Sequence, residues 1–151
     1  MLVENMKRAI LLLVLAVVCG LQLRAQHGAD STAFKGYLYN KEYKVYMRLN
    51  LLERDVVVTW QDLFGPLPGF LGKDGSSYCW LITDATVEGN HAELELVNDS
   101  GSDDLVATLT QVNDSTFTLR QGKGATIRVP NNGKWQKLPH QLTFIRKNQG
   151  K

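Results

Sequence analysis

The chain is poor in the residues that most often carry chemistry. It has two cysteines and three histidines in 151 residues. Cys19 lies in a stretch expected to be removed. Cys79 is then alone and no internal disulfide is possible, although an exported protein could carry one. Stability has to come from packing. His27, His91 and His140 lack metal-ligand spacing, and neither a metal nor a cofactor is expected. Helical periodicity is missing too: no stretch repeats its apolar residues at helical spacing for more than about two turns. The net charge is +2, and close to neutral once the first 25 residues are set aside, so nucleic acid is not an expected partner.

Motifs with a superficial chemical look dissolve on inspection. "HAELE" puts His91, Glu93 and Glu95 on one strand face, which reads as a solvated outer surface. "NDSGSDD" (98–104) is rich in oxygen but lacks the spacing of a calcium loop and its bidentate glutamate; it reads as a polar hairpin turn. Cys79 lies between Tyr78 and Trp80, the setting of a buried thiol. "GKGAT" (122–126) lacks the frame of a phosphate-binding loop. No enzyme is expected.

The one long apolar run is at the start. Lys7 and Arg8 precede Ala9 to Cys19, and "LQLRAQ" leads to a small residue at Ala25. A basic segment, an apolar segment and a small residue make an export signal, tightest when read from Met6. The run is shorter than the roughly 20 residues of a membrane span. The expectation is a signal over residues 1–25, cleavage after Ala25, and one exported domain over 26–151, periplasmic or secreted. The alternative is a lipoprotein anchored through Cys19.

What the rest of the chain does have is alternation. "YKVYMRLNL" sets Tyr43, Val45, Met47, Leu49 and Leu51 against Lys44, Tyr46, Arg48 and Asn50. "HAELELV", "DLVATLTQ", "STFTLRQ" and "QLTFIRK" repeat the pattern, with turn residues between them. A period of two with regular turns predicts antiparallel strands. Eight or nine are expected: 33–40, 43–52, 55–61, 77–86, 91–98, 104–112, 115–121, 124–129 and 141–147. An all-β up-and-down meander of this length hides its edges by closing into a barrel; a two-sheet sandwich is the alternative. The inward phase of such a barrel holds Met47, Trp60, Trp80, Leu94, Leu109, Phe117 and Phe144, which either fill a core or line a ligand cavity.

In size and strand count residues 26–151 resemble the lipocalin-like, or calycin, barrels. The first strand of that family carries a Gly-x-Trp signature. "FKGYLYN" keeps the glycine as Gly36 and has Leu38 in the tryptophan's place. The family's last strand often carries an arginine that packs across the first, and Arg146 stands in the inward phase to do so. The resemblance implies a small apolar or amphipathic ligand inside the barrel and no catalysis. The rival reading is an interaction or structural module with a filled core.

"GPLPGFLGKDG" (65–75) is a Gly/Pro-rich segment with apolar content: Leu67, Phe70 and Leu71, with Leu63 and Phe64 just before it. The flanking runs "DVVVTW" and "SYCWLIT" are apolar on both faces, the mark of strands covered on both sides. Loop 62–76 is therefore expected to fold back on the barrel as a cap, to act as a lid, or to dock a partner. Charge is also segregated. Residues 84–114 carry acids and no lysine or arginine, while 115–151 carry bases and no acid. These two arcs offer a weak homodimer, or an anionic glycan or lipid on the basic side at Arg120, Arg128, Lys134 and Lys137.

Overall fold

The structure, a computed structural model, describes residues 1–8, 32–61 and 63–148. The apolar run from Ala9, Cys19, the cleavage point at Ala25 and His27 lie outside the described residues. Residues 2–8 are helical, and no helix among the described residues is long and apolar enough to cross a membrane.

Among the described residues there are ten strands: β1 (Lys35–Asn40), β2 (Val45–Asn50), β3 (Gly69–Lys73), β4 (Cys79–Glu88), β5 (His91–Asn98), β6 (Asp104–Gln111), β7 (Thr116–Gly124), β8 (Arg128–Asn131), β9 (Lys134–Lys137) and β10 (Gln141–Lys147). Eight of them close into an antiparallel barrel in the order β1-β10-β7-β6-β5-β4-β3-β2. The chain order is an up-and-down meander interrupted once, where β8 and β9 form a separate two-stranded ribbon between β7 and β10. This is the all-β closed meander that the alternation predicts, rather than a sandwich.

Two expected elements are corrected. Residues 55–61 do not form a barrel strand; their only ladder contact is an isolated bridge between Val56 and Leu67. The strand after β2 is instead "GFLGK", which the glycines marked as loop. It pairs with β2 through Met47↔Leu71 and Arg48↔Phe70, and with β4 through Leu71↔Trp80 and Phe70↔Leu81. Gly72 is required there, because the Tyr46 ring lies across it and an added Cβ would sit 2.5 Å from that ring. The stretch 124–129 is likewise split between the end of β7 and the start of β8.

Alternation along each strand builds the core. Val45, Met47, Leu49, Leu71, Trp80, Ile82, Leu94, Leu96, Leu109, Phe117, Leu119 and Phe144 meet inside the barrel. A bulge between Ile82 and Asp84 adds one residue to β4, so Ala85 and Ile82 both face inward.

Both ends of the barrel are stoppered. At one end Ala33 and Phe34 are buried, and Phe34 meets Phe117 edge to face. The Arg146 guanidinium lies 5.0 Å over the Phe117 ring and donates to the carbonyls of Ala33 and Lys35. Gly36 turns the first strand past it with φ of 127°, a conformation other residues rarely adopt. At the other end the β8–β9 ribbon lays Ile127, Val129 and Leu138 into the core. Buried Gln121 holds both legs of this excursion: its Oε1 accepts from the Ile127 N–H at 2.7 Å, and its Nε2 donates to the carbonyls of Leu138 and Pro139. The Trp80 indole donates to the Arg128 carbonyl at 3.0 Å.

Candidate functional site: the outer strap

Between β2 and β3 the chain leaves the end of the wall, runs along the outside and returns. This strap, residues 51–68, exists because the wall beneath it is apolar. Strand β3 points Leu71 inward and Phe70 outward; β4 points Trp80 and Ile82 inward and Cys79 and Leu81 outward. Outward apolar side chains need a cover. Val56, Val58 and Leu67 of the strap supply it, with Tyr46 and Val97 at the margins, making a second small core on the outer wall. The strap is held by Val56–Leu67 backbone bonds of 2.9 and 3.0 Å. Arg54 pins its base, donating to Asp84 at 2.6 Å and to the Ala85 carbonyl at 3.0 Å.

An aromatic row continues this outer layer. Tyr37 stacks on Tyr39 and on Tyr46, Tyr46 meets Phe70 edge-on at 5.9 Å, and Trp60 meets Phe70 edge-on at 5.6 Å. Burial pushes the Cys79 thiol up, against a smaller opposing hydrogen bond with Trp60. Cys79 is a free thiol buried in the outer core. The Tyr39 phenol is pushed up to about 12 by its hydrogen bond to Asp74.

The side chains singled out by sequence divide among three places. Met47, Trp80, Leu94, Leu109, Phe117 and Phe144 are inside the barrel. Trp60 is not: it sits on the strap, 46% exposed, against the outward ring of Phe70. Its inward assignment is corrected because 55–61 is a cover rather than a wall strand. Of the loop residues, Leu71 is a barrel-core side chain and Phe70 and Leu67 belong to the outer core. Leu63 and Phe64 stand in solvent at the strap's tip, 84% and 44% exposed. The loop thus caps the outer wall and not the barrel's mouth. Together with half-exposed Trp60, Leu63 and Phe64 leave apolar surface at the tip that no sequence pattern separated from its buried neighbours, while exposed Val57 lies apart, beside Lys35 and Arg48.

The interior has no room to spare. Met47, Leu71, Leu94, Leu109, Phe117 and Phe144 are 0% exposed and Trp80 is 1% exposed. A cavity able to take a ligand would leave its lining reachable by a water-sized sphere from within. These side chains are buried on every side, as the members of a packed core are.

The charged arcs face outward and do not pair with each other. On β5 Glu93 and Glu95 lie opposite Thr108 and Val106 of β6, and Thr108 lies opposite Arg120 of β7. Along these rows a neutral residue separates acid from base, while at the other end of the strands Asp104 and Lys123 line one surface without pairing. The ion pairs among the described residues are Lys35–Glu53, Arg54–Asp84 and Glu88–His91, none of them between the arcs. Among the described residues no three His, Cys, Asp or Glu side chains come together as a metal site. In comparisons with known proteins, no family model, no curated protein and no solved structure matches the chain.

Proposed function

We propose that the protein is an exported, non-catalytic interaction module on a barrel of the lipocalin-like type. Its strap tip, Trp60, Leu63 and Phe64, is the docking element. The carrying observation is the contrast between the two apolar sets: the inward one is packed and stoppered at both ends, while the strap tip stands in water. An interior ligand would have to displace packed side chains. A partner at the tip would remove apolar surface that the fold leaves exposed. Arg146 lying across the first strand supports the lipocalin-like reading.

The partner is a protein surface rather than a lipid layer. The stretch from Asp55 to Gly72 carries Asp55 and Asp62 and no lysine or arginine, and the bases beside it, Arg54 and Lys35, are paired with Asp84 and Glu53, which disfavours anionic headgroups. Trp60 is braced edge-on against Phe70, and a rigid aromatic anchor is the usual centre of a protein contact.

A photo-crosslinking side chain at position 63 tests this in the exporting host. The expected result is a discrete adduct of defined mass that is missing from a control at exposed Val112 and is suppressed by Trp60→Ala. Equal labelling from both positions would overturn the docking reading. So would a ligand retained by the barrel in native mass spectrometry, which would restore the interior as the binding site.

A further inference from the structure

The β8–β9 ribbon has two faces with different work. Its inner face stoppers the barrel. Its outer face presents Arg128, Pro130, Trp135 and Lys137, as the register Arg128↔Lys137 and Pro130↔Trp135 requires. Trp135 is 60% exposed, and its ring stands edge-on to Tyr78 with centroids 4.8 Å apart. The stopper does not need this ring, since Ile127, Val129 and Leu138 already close the core.

Opposite the ring lies the β5–β6 turn. Asn98 organises it, accepting from the Ser102 and Asp103 amides at 2.9 and 3.2 Å. The turn and the ribbon enclose a cleft of about 170 Å³, lined by Tyr78, Ser100, Ser102, Asp103, Arg128 and Trp135, with Asn98 at its base. Two charges of opposite sign face this space and do not pair with each other. The Arg128 guanidinium has no ion pair or hydrogen-bond partner among the described residues, and the Asp103 carboxylate accepts only a long contact of 3.4 Å from Asn98.

We propose that this cleft binds a saccharide, one sugar ring lying against Trp135 and Tyr78. A purely apolar ligand would desolvate Asp103 and Arg128 without satisfying them, which is costly. A simple anion meets the Asp103 carboxylate, and a simple cation meets Arg128. A sugar ring has an apolar C–H face for the aromatic surface and hydroxyls at its rim that both donate and accept. Asp103 takes hydroxyl protons, Arg128 donates to ring or hydroxyl oxygens, and the Ser100 and Ser102 hydroxyls complete the rim. Few convergent polar groups beside an aromatic wall are the general form of a small-ligand site. Lys137, opposite Arg128 on the same face of the ribbon, extends it toward an acidic neighbouring sugar.

The test is a glycan array of neutral and uronate-containing oligosaccharides, probed with the exported chain, followed by titration of the best binder. Retention of uronate oligosaccharides alone would place Lys137 in the site; retention of both classes would confine it to the ring, Asp103 and Arg128. Trp135→Ala should weaken binding about thirtyfold, the size of an interface hot spot. Trp135→Phe should recover part of the loss. Asp103→Ala, which removes no core contact, should also weaken binding while the thermal midpoint stays unchanged. Leu63→Ser should leave sugar binding intact, so this site and the strap tip are read separately. No retained glycan, binding indifferent to Trp135→Ala, or preference for a zwitterionic amino acid over every sugar would overturn the proposal.

Discussion

Phe70 and Leu71 are adjacent in sequence and belong to different cores. Leu71 points into the barrel with Met47 and Trp80; Phe70 points out, beneath the strap, with Val58 and Leu81. The inner core is walled by eight hydrogen-bonded strands and closed at both ends. The outer core has the barrel wall on one side and, on the other, a segment tied at its base by Arg54, by the Lys35–Glu53 pair and by Asn50 bonds to Glu53 and Asp55, and beyond that by one isolated bridge. Similar apolar side chains therefore sit in surroundings of very different stiffness. A region with few ladder bonds opens locally at lower free energy than the barrel does. The strap is thus the part of the molecule able to adjust to a partner without unfolding the rest.

The sharpest way to break the comparison is to make the same kind of cut in each core. Phe117→Ala should cost about 3–5 kcal/mol, because its neighbours are fixed by the barrel and cannot close the hole. Urea unfolding should show a lower midpoint in a single cooperative transition. Phe70→Ala should cost about 3 kcal/mol, at the low end of that range, since the strap can settle into the space. Amide exchange of strap residues should quicken more than that of β5 or β6. Equal acceleration everywhere would mean that the outer core is part of the same cooperative unit.

Leu63→Ser tests the strap's other side. At 84% exposure the side chain gives up almost nothing on folding, so stability should stay within about 0.5 kcal/mol of the parent. Crosslinking to a partner should nevertheless fall. A large loss of stability would show that the tip is a structural element.

The smallest effect concerns acid. The Asp84 carboxylate is held below its ordinary value by the Ala85 N–H first and by Arg54 second. Its folded pKa is lower than its unfolded one, so its contribution is complete above the unfolded value and is lost as pH falls through the folded value. Arg54→Gln should therefore flatten the acid limb of the stability curve slightly. The change should shrink in high salt, because both side chains are about half exposed. A steeper acid limb in the variant would contradict this account of the strap's anchor.

Much of the wall was legible beforehand, since a period of two is a local property. The alternation in "HAELELV" and "DLVATLTQ" reads directly as β5 and β6, with Leu94 and Leu109 inward. The doubly apolar run "SYCWLIT" announced a covered outer face, and Cys79 and Leu81 have one. The strap was misread for a physical reason. Val56, Val58 and Trp60 alternate with Val57 as a strand does, and they do turn one side toward an apolar surface. Alternation reports that one side of an extended chain is buried; it does not say which neighbour buries it.

The same limit applies to the candidate sites. By itself the sequence determined an antiparallel meander, the inward phase of the strands that do form its wall, a buried Cys79 and two segregated charge arcs, because each follows from side-chain chemistry at short range. Only the tertiary structure decided that "GFLGK" completes the barrel, that Trp60 lies outside it, and that the interior is full. It alone set Tyr78 against Trp135, 57 positions apart in the chain, with Asp103 and Arg128 beside them. Which strands pair, and what volume they enclose, depends on contacts between residues far apart in the chain, and a local pattern carries no record of those.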